Sequence, residues 1–287
     1  MAFLGNPSAT NEILNKYNLS AQKRYGQNFL IDSNVLRKIV ESAGVTKEDT
    51  VLEIGPGIGT LTQFLCEAAS KVISVEIDKA MIPVLNDTLS EYDNITIVNE
   101  DILKVDILKL LKENGAKSVK VVANLPYYIT TPIIMELLEK DAPIESITVM
   151  IQKEVAERMQ TGPGSKDYGA LSLAVAFYSK AEVKMTVSPN CFIPRPNVDS
   201  AVIRMDKLKE PPVSVKDRDL MFKIIKGAFE QRRKTLTNAL SHSVSFKTDK
   251  EKVEEALEKM GKKTNIRGEE LNLSEFAVLS DILSNSF

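Results

Sequence analysis

Four adjacent residues near the middle of the chain combine groups that can hold a purine base: Asn124, Leu125, Pro126 and Tyr127. Asn124 carries a side-chain amide, Pro126 fixes the backbone beside a carbonyl, and Tyr127 carries an aromatic ring. In series, such groups can grip the edge and the face of a base. We therefore take these four residues as candidates for a catalytic site that acts on a nucleobase.

The sequence around Asn124 predicts a turn at the carboxyl end of a strand. Residues 119–123 form an apolar run typical of a short buried strand, whereas Thr131 and Pro132 are typical of the start of a helix. In open α/β sheets, ligands bind at this end of the strands. In this position, the tetrapeptide resembles the motif of methyltransferases that act on the exocyclic amine of adenine or cytosine.

A glycine-rich turn supplies the candidate cofactor site. Gly55, Gly57 and Gly59 follow a predicted strand and precede a predicted helix, which is the context of a nucleotide-containing cofactor. The third glycine comes one position too early for the dinucleotide-binding fingerprint, and Pro56 lacks an N–H that a pyrophosphate would use. S-adenosylmethionine has no phosphate, so the turn favours it over NAD. A turn in which glycine only lets helix and strand pack closely is the alternative.

Two carboxylates follow neighbouring predicted strands beside this turn. Glu76 ends the second strand, 21 positions after Gly55, where it can accept hydrogen bonds from both hydroxyls of a ribose. Asp101 ends the third strand, where it can accept a hydrogen bond from an adenine amine. Each carboxylate alone is more often a solvated charge, but together with the glycine turn they indicate a site for S-adenosylmethionine.

The elements that must position these residues alternate between strand and helix up to about residue 160. Such alternation predicts an α/β fold, a Rossmann-like parallel sheet with helices on both faces. Two later strands, over residues 181–187 and 198–205, form a predicted antiparallel hairpin, a trait of methyltransferases. The prolines between them stiffen a loop that carries Phe192. Phe192 is a candidate catalytic residue that would close the second face of a base stacked on Tyr127, with core packing as its alternative.

A change of pattern after residues 209–212 predicts a second domain. Helical patterns dominate beyond this linker, over residues 220–240, 250–260 and 274–283. We predict a catalytic domain over residues 1–208 and a small, all-helical, RNA-binding domain over residues 209–287. Residues 207–287 carry 16 basic and 13 acidic side chains, against 21 and 26 in residues 1–206. This asymmetry permits a nucleic-acid partner for the smaller domain.

The first of these predicted helices, taken as continuous over residues 220–240, separates apolar from basic positions. At about 100° per residue, Arg233 falls within the apolar stripe and Arg232 beside it, so we expect both to pair with carboxylates at a packed interface. Lys223, Lys226 and Lys234 share a flank off that stripe. We predict that these three lysines bind the phosphate backbone of RNA.

Other features exclude whole classes of protein. No apolar run approaches the roughly 18 residues of a membrane span, and the N-terminus shows no secretory signal pattern. Cys66 and Cys191 fit no metal-ligand spacing, which predicts free thiols in a reducing compartment and no bound metal. We interpret His242, the single histidine, as structural or solvated. We expect a cytoplasmic monomer.

Longer strings extend these motifs over nearly the whole chain and resemble, in order, the ribosomal RNA adenine N6,N6-dimethyltransferase family. The strings are QNFL at 27–30, EIGPGIGTLT at 53–62, VEID at 75–78, ED at 100–101, NLPYYITTPI at 124–133, PRPNVDSAVIR at 194–204 and FEQRRKTLTNAL at 229–240. The last string favours the small-subunit branch over related large-subunit methyltransferases that confer antibiotic resistance. The resemblance implies a donor site lined by Asn28, Leu30, Gly55, Glu76, Asp101 and Asn124.

The resemblance also implies a substrate: two adjacent adenosines in a hairpin loop near the 3′ end of small-subunit (16S) rRNA, each methylated twice during small-subunit biogenesis. The adenine N6 is a poor nucleophile because its lone pair is delocalised into the ring. The Asn124 side-chain oxygen and the backbone carbonyl of Leu125 or Pro126 can hold its hydrogens, so that positioning carries the transfer without a general base. An NAD-dependent oxidoreductase, a DNA adenine methyltransferase and a non-enzymatic ribosome-assembly factor are the other hypotheses.

Overall fold

A computed structural model describes residues 4–19 and 28–284 of the chain. Gln27, which begins the QNFL string, lies outside the described residues. By its internal contacts the chain divides into two compact units: Met1–Ala156 with Ala181–Lys207, and Glu157–Lys180 with Leu208–Phe287. In the described part of the chain, no helix is both long and apolar enough to cross a membrane.

The first unit contains the strands and the helices that connect them. Its helices are α1 (Pro7–Lys16), α2 (Ser33–Ala43), α3 (Thr60–Ala68), α4 (Ile82–Thr88), α5 (Ile107–Glu113) and α6 (Thr130–Glu139). Its strands are β1 (Phe29–Leu30), β2 (Thr50–Ile54), β3 (Lys71–Glu76), β4 (Ile95–Asn99), β5 (Val119–Asn124), β6 (Ile144–Gln152), β7 (Ser179–Val187, whose first two residues belong to the second unit), β8 (Phe192–Ile193) and β9 (Ser200–Lys207).

The main sheet has the order β4-β3-β2-β5-β6-β9-β7. Neighbouring strands from β4 to β6 are parallel, and β9 runs antiparallel to β6. The predicted α/β class and parallel sheet are therefore confirmed. After β2 the chain adds β3 and β4 on one side and then returns to place β5 on the other, so a topological switch point lies between β2 and β5. Ligands of doubly wound sheets bind in the crevice at such a point.

The centre of this sheet is buried on both faces. Val51 and Leu52 of β2, like Val121 and Val122 of β5, are fully shielded from solvent. Continuous apolar runs of this kind are expected for parallel strands that helices cover on both sides. The rigid centre fixes the residues that follow each strand at its carboxyl end.

A second, two-stranded sheet was not predicted from the sequence. Strand β1 pairs antiparallel with β8, and Phe29 faces Ile193 while Leu30 faces Phe192. The pairing joins a segment near the N-terminus to the proline-containing loop before β9. It brings residues from both segments to the carboxyl edge of the main sheet.

Some predicted helix bounds differ from the structure. Helix α6 begins at Thr130 with Ile129 as its N-cap, so the start predicted with Thr131 as N-cap and Pro132 as first helical residue is two residues late. Helix α1 was missed, although Asn6 caps it by accepting a hydrogen bond from the Ala9 N–H and proline follows at its first position. Helix α5 was missed in the same way, with Asp106 as its side-chain cap.

The second unit is helical. Its helices are α8 (Ala170–Tyr178), α9 (Arg218–Glu230), α10 (Leu236–Ser241), α11 (Lys250–Lys259) and α12 (Leu273–Ser284), and α7 (Lys153–Met159) ends within it. The unit includes residues 157–180, which the sequence-based division placed in the catalytic domain. Tyr168, Leu173 and Phe177 are buried in one apolar cluster with residues such as Ile224, which explains the grouping.

The helix predicted over residues 220–240 is interrupted, so that prediction is wrong. Helix α9 ends at Glu230, and α10 begins at Leu236 after Thr235, whose hydroxyl caps the new helix by accepting from the Asn238 N–H. Arg233 lies in the turn between them and is exposed instead of sharing the apolar stripe. A side-chain cap available at Thr235 is the physical reason for the restart.

Candidate active site

A cavity that is open to solvent at its mouth lies at the switch point of the sheet. It is lined by Asn28, Phe29, Leu30, Glu53, Gly55, Pro56, Gly57, Thr60, Leu61, Glu76, Ile77, Asn124, Leu125, Pro126, Tyr127, Tyr128 and Phe192. The predicted catalytic residues and all but one of the predicted cofactor-binding residues lie in this lining. The exception is Asp101. Its half-buried side chain follows β4 and accepts a hydrogen bond from the Leu103 N–H at 3.1 Å, and its cofactor role stays a prediction.

The glycine turn after β2 adopts a backbone conformation that side chains oppose. Gly55 and Gly57 have φ values of +68° and +60°. A Cβ on Gly57 would also lie 3.2 Å from the ring of Phe29, a tight contact that the ring would have to relieve by a small shift. The turn aims the Gly57 N–H at the carboxylate that ends the next strand.

That carboxylate, Glu76, is 4% exposed and held by two backbone donors. The Gly57 N–H donates to Oε2 at 3.1 Å, and the Asp78 N–H donates to Oε1 at 2.8 Å. Burial raises the pKa of Glu76, the two N–H donors oppose that rise, and the charge of Asp78 adds to it. Each carboxylate oxygen retains acceptor capacity beyond one hydrogen bond, so Glu76 can still accept from the hydroxyls of a ribose.

Glu53 is a cavity residue that sequence reasoning missed. It lies in β2, is 1% exposed, and accepts a hydrogen bond from the Ser74 hydroxyl at 2.7 Å. Burial raises the pKa of Glu53 to about 7, and the neighbouring charge of Glu76 contributes to the rise, whereas the Ser74 hydrogen bond opposes it. A carboxylate inside an otherwise apolar strand was the available signal, because glutamate is rarely buried without a specific reason.

The Asn124 side chain is oriented by the backbone of a distant segment. Its Nδ2 donates to the carbonyl of Asn28 at 3.1 Å. One N–H of the amide is used in this contact, and Oδ1 accepts no hydrogen bond from the described residues. Because Asn124 lines the cavity, its Oδ1 is an available acceptor for a ligand there.

The carbonyls that follow Asn124 are not equivalent. The Pro126 carbonyl accepts hydrogen bonds from the Thr130 hydroxyl at 3.1 Å and from the Ile129 N–H at 3.3 Å, in the turn that leads into α6. The Leu125 carbonyl accepts no hydrogen bond from the described residues, while the Leu125 N–H donates to Met150 in β6. Of the two carbonyls, Leu125 offers the freer acceptor.

Two aromatic rings line the same cavity. Tyr127 is half-buried, and its hydroxyl lies 2.7 Å from the Ser200 Oγ. Phe192 is 3% exposed and packs in an apolar cluster with Leu30 and Val202. Phe192 thus belongs both to the cavity lining and to the core, and both interpretations of this residue remain compatible with its position.

The remaining predicted residues lie elsewhere. Lys223 and Lys226 are exposed on α9, and Lys234 is exposed in the turn that follows it. His242 is exposed, with its Nδ1 3.0 Å from the Asn238 carbonyl oxygen, in accord with a structural or solvated side chain. Among the residues that the structure describes, no group of three His, Cys, Asp or Glu side chains is placed to hold a metal ion.

The sheet is parallel with an antiparallel β9, and a glycine turn follows β2. A carboxylate ends β3, and an asparagine motif begins at the last residue of β5. Together these features define an S-adenosylmethionine-dependent methyltransferase. Solved structures support this class. A dimethyladenosine transferase from Plasmodium falciparum has a TM-score of 0.71 and 26% identity over 88% of this chain and 95% of its own. The 23S rRNA methyltransferase ErmE has a TM-score of 0.65 and 27% identity over 90% of this chain and all of its own.

Sequence comparison identifies the family. The model of the ribosomal RNA adenine dimethylase family matches residues 18–278, and the chain belongs to that family. A ribosomal RNA small subunit methyltransferase A from Lachnoclostridium phytofermentans is 61% identical over 99% of this chain and 98% of its own. The protein of the same name from Bacillus licheniformis is 52% identical over 98% of this chain and 97% of its own. The predicted family, its enzymatic class and its methyl donor are thereby confirmed.

Proposed function

We propose that this enzyme transfers methyl groups from S-adenosylmethionine to N6 of two adjacent adenosines in a hairpin loop near the 3′ end of 16S rRNA, giving N6,N6-dimethyladenosines. Relatives named for small-subunit methylation share 61% and 52% of residues with this chain, against 27% for the 23S rRNA methyltransferase. The observation that carries the chemistry is the Asn124 amide, which lines the cavity and donates through Nδ2 to the Asn28 carbonyl, leaving Oδ1 as an acceptor.

The residues beside the glycine turn fit the methyl donor. Glu76 keeps acceptor capacity for ribose hydroxyls, and Pro56 in the cavity wall removes an N–H that only a phosphate would need. Asn28 and Leu30 form the neighbouring wall. When bound, S-adenosylmethionine supplies a methyl group on a positively charged sulfur.

At the acceptor side, Asn124 and Leu125 hold the adenine amine. In the first transfer, the Asn124 Oδ1 and the Leu125 carbonyl each accept one N6 hydrogen, since the Pro126 carbonyl is engaged by the residues that open α6. In the second transfer, the monomethylated amine has one hydrogen left, which one of these acceptors holds. This pair of acceptors favours a pyramidal nitrogen with its lone pair directed at the methyl group. The cavity lining includes no histidine, which suits a transfer in which N6 releases its proton to solvent only as the new N–C bond forms.

The target adenine leaves its stack to reach these acceptors. Tyr127 provides the stacking platform, and Phe192 closes the opposite face. Lys223, Lys226 and Lys234 bind the RNA backbone, which carries charge but no sequence information. The partner is 16S rRNA within the precursor of the small subunit, and a single chain acts on it in the cytoplasm.

Methyl transfer to purified ribosomal subunits tests this function. Radiolabelled S-adenosylmethionine is incubated with the protein and with small subunits, large subunits or duplex DNA, each from cells that lack the modification. We expect label only in small subunits, and digestion should yield N6,N6-dimethyladenosine from two adjacent positions. Label in large subunits would instead support the resistance-type activity, and label in DNA would refute an RNA substrate.

A further inference from the structure

The hydroxyl of Tyr127 is tied to a residue outside the cavity. Its oxygen lies 2.7 Å from the Oγ of Ser200, which is 1% exposed and is not among the lining residues. Ser200 also lies outside the Asn124–Tyr127 motif, 73 positions along the chain from Tyr127. The contact therefore joins a residue at the reaction site to a buried residue of the scaffold.

Ser200 is held rigidly by the sheet. It is the first residue of β9 and pairs with Gln152 of β6, while the preceding Asp199 accepts a hydrogen bond from the Lys153 N–H at 3.0 Å. Ala201, the next residue, is fully buried. Because the backbone is fixed on both sides, the Ser200 hydroxyl can change position only by rotation of its own side chain.

The contact fixes the aromatic ring at its two ends. On the backbone side, the turn that carries Tyr127 is anchored where the Leu125 N–H donates to Met150 at 3.1 Å. On the hydroxyl side, the ring is anchored at Ser200, so the two anchors lie on β6 and on its neighbour β9. A ring held only at its Cβ can swing, whereas one held at both ends has a defined plane. Stacking of a base depends on that plane.

We propose that Ser200 is a positioning residue for the acceptor base: by holding the Tyr127 hydroxyl, it sets the plane on which the adenine stacks and so aligns N6 with Asn124. The inference rests on the proposed function, because it assumes that a base stacks on Tyr127. Tyr127 is half-buried and Ser200 is buried, so the contact ties the outer end of a partly exposed ring to the scaffold.

A double-mutant cycle tests the coupling. Ser200→Ala, Tyr127→Phe and the double variant each remove the contact, and kcat and KM for methyl transfer are measured on the ribosomal subunit that the wild type methylates. We expect each single variant to lower kcat by between about 2-fold and 10-fold, the effect of one net hydrogen bond. The double variant should be no slower than the slower single variant. The dissociation constant of S-adenosylmethionine should be unchanged in all three.

Ser146→Ala is the matched control, since Ser146 is a 2% exposed serine in β6 whose hydroxyl has no hydrogen-bond partner among the described residues. It should retain wild-type kcat. Wild-type kcat in Ser200→Ala would overturn the role, as would a double variant whose loss equals the product of the single losses. A loss of kcat in Ser200→Ala that merely tracks a loss of folded protein, seen as a lower melting temperature, would also overturn the role. Methylation of large subunits by the wild-type protein would overturn the proposed substrate. The comparison of kcat among the variants would still test the role of Ser200.

Discussion

The side chain of Asn124 donates to the backbone carbonyl of Asn28, a residue 96 positions earlier in the chain, at 3.1 Å. Because a carbonyl can only accept, the contact engages the NH₂ group of the amide and not its oxygen. It leaves the oxygen of Asn124 to polarise an incoming amine.

Asn124→Ala should abolish methyl transfer while leaving RNA binding nearly unchanged. The variant removes an oriented acceptor whose effect is exerted in the transition state, for which a loss on the order of 100-fold or more in kcat is expected. Single-turnover transfer and filter binding of rRNA measure the two properties separately. Asn86→Ala, an exposed asparagine on α4, is the control. Turnover near the wild-type rate in Asn124→Ala would remove the proposed acceptor geometry.

Glu76→Ala should weaken binding of S-adenosylmethionine more than it weakens binding of RNA. The buried carboxylate lies beside Gly57, and charge-assisted hydrogen bonds of the kind it would make to ribose are worth about 1.5–3 kcal/mol. Calorimetric titration of the free enzyme with the donor measures the loss. Glu113→Ala, which changes an exposed carboxylate on α5, should bind normally. Unchanged donor affinity in Glu76→Ala would count against the ribose assignment.

Glu53→Gln should stabilise the protein near neutral pH. Burial raises the pKa of Glu53 from 4.5 to about 7, so the folded state keeps a proton that the unfolded chain releases. The contribution of this proton to the free energy of unfolding has its full value below about pH 4.5. It is lost as the pH rises through about 7, a change on the order of 3 kcal/mol. Glutamine mimics the protonated form and still accepts from Ser74.

Urea unfolding at about pH 5 and about pH 8 measures this effect. The stability of Glu53→Gln relative to wild type should increase between the two values, whereas Glu41→Gln, an exposed change on α2, should show no such trend. A pH-independent difference for Glu53→Gln would mean that Glu53 is ionised throughout this range.

Lys223→Gln and Lys226→Gln should each weaken RNA binding to a similar degree for all sequences. Both lysines are exposed on α9, and a lysine that neutralises one phosphate contributes about 1 to the slope of log affinity against log salt. Titrations over a range of salt concentrations measure the slope. Lys112→Gln, an exposed lysine of α5, is the control. An unchanged slope in both α9 variants would place the RNA elsewhere.

Arg232→Ala should destabilise the second unit, and Arg233→Ala should not. The Arg232 guanidinium donates to the carbonyls of Lys166 and Tyr168, the latter at 2.6 Å, and so ties the loop before α8 to the end of α9. Hydrogen bonds from a charged donor support a loss of about 1–3 kcal/mol. Chemical unfolding measures this loss of stability, and the rate of proteolysis near Lys166 measures the opening of the loop. An equal loss of stability in Arg233→Ala, which changes an exposed residue, would show that stability depends on the turn itself and not on the contact of Arg232.

The features that the sequence predicted well depend on local patterns. Apolar runs followed by Gly55, Glu76 or Asn124 locate the carboxyl edge of the sheet, because each strand and its following turn lie within a few residues of one another. The interruption of the helix at Glu230 escaped prediction because the apolar spacing of α9 continues in phase into α10.

What the sequence could not predict depends on distant partners. The pairing of β1 with β8 involves two residues on each side, too few for any periodicity. Likewise, nothing near Tyr127 indicates that its hydroxyl meets Ser200, and nothing near Glu53 states how deeply it is buried. These relationships arise only when the sheet has formed, and they complete the cavity.

The pairing of β1 with β8 also sets the order in which the enzyme matures during its own synthesis. Chains emerge from the ribosome N-terminus first, at about 5–20 residues per second. Phe29 and Leu30 leave early, yet their partners Phe192 and Ile193 follow only after the strands from β2 to β7 have been translated. A nascent chain that already contains Glu76 and Asn124 therefore still lacks the part of the cavity wall that Phe192 supplies. The pocket closes late, when most of the polypeptide has been made.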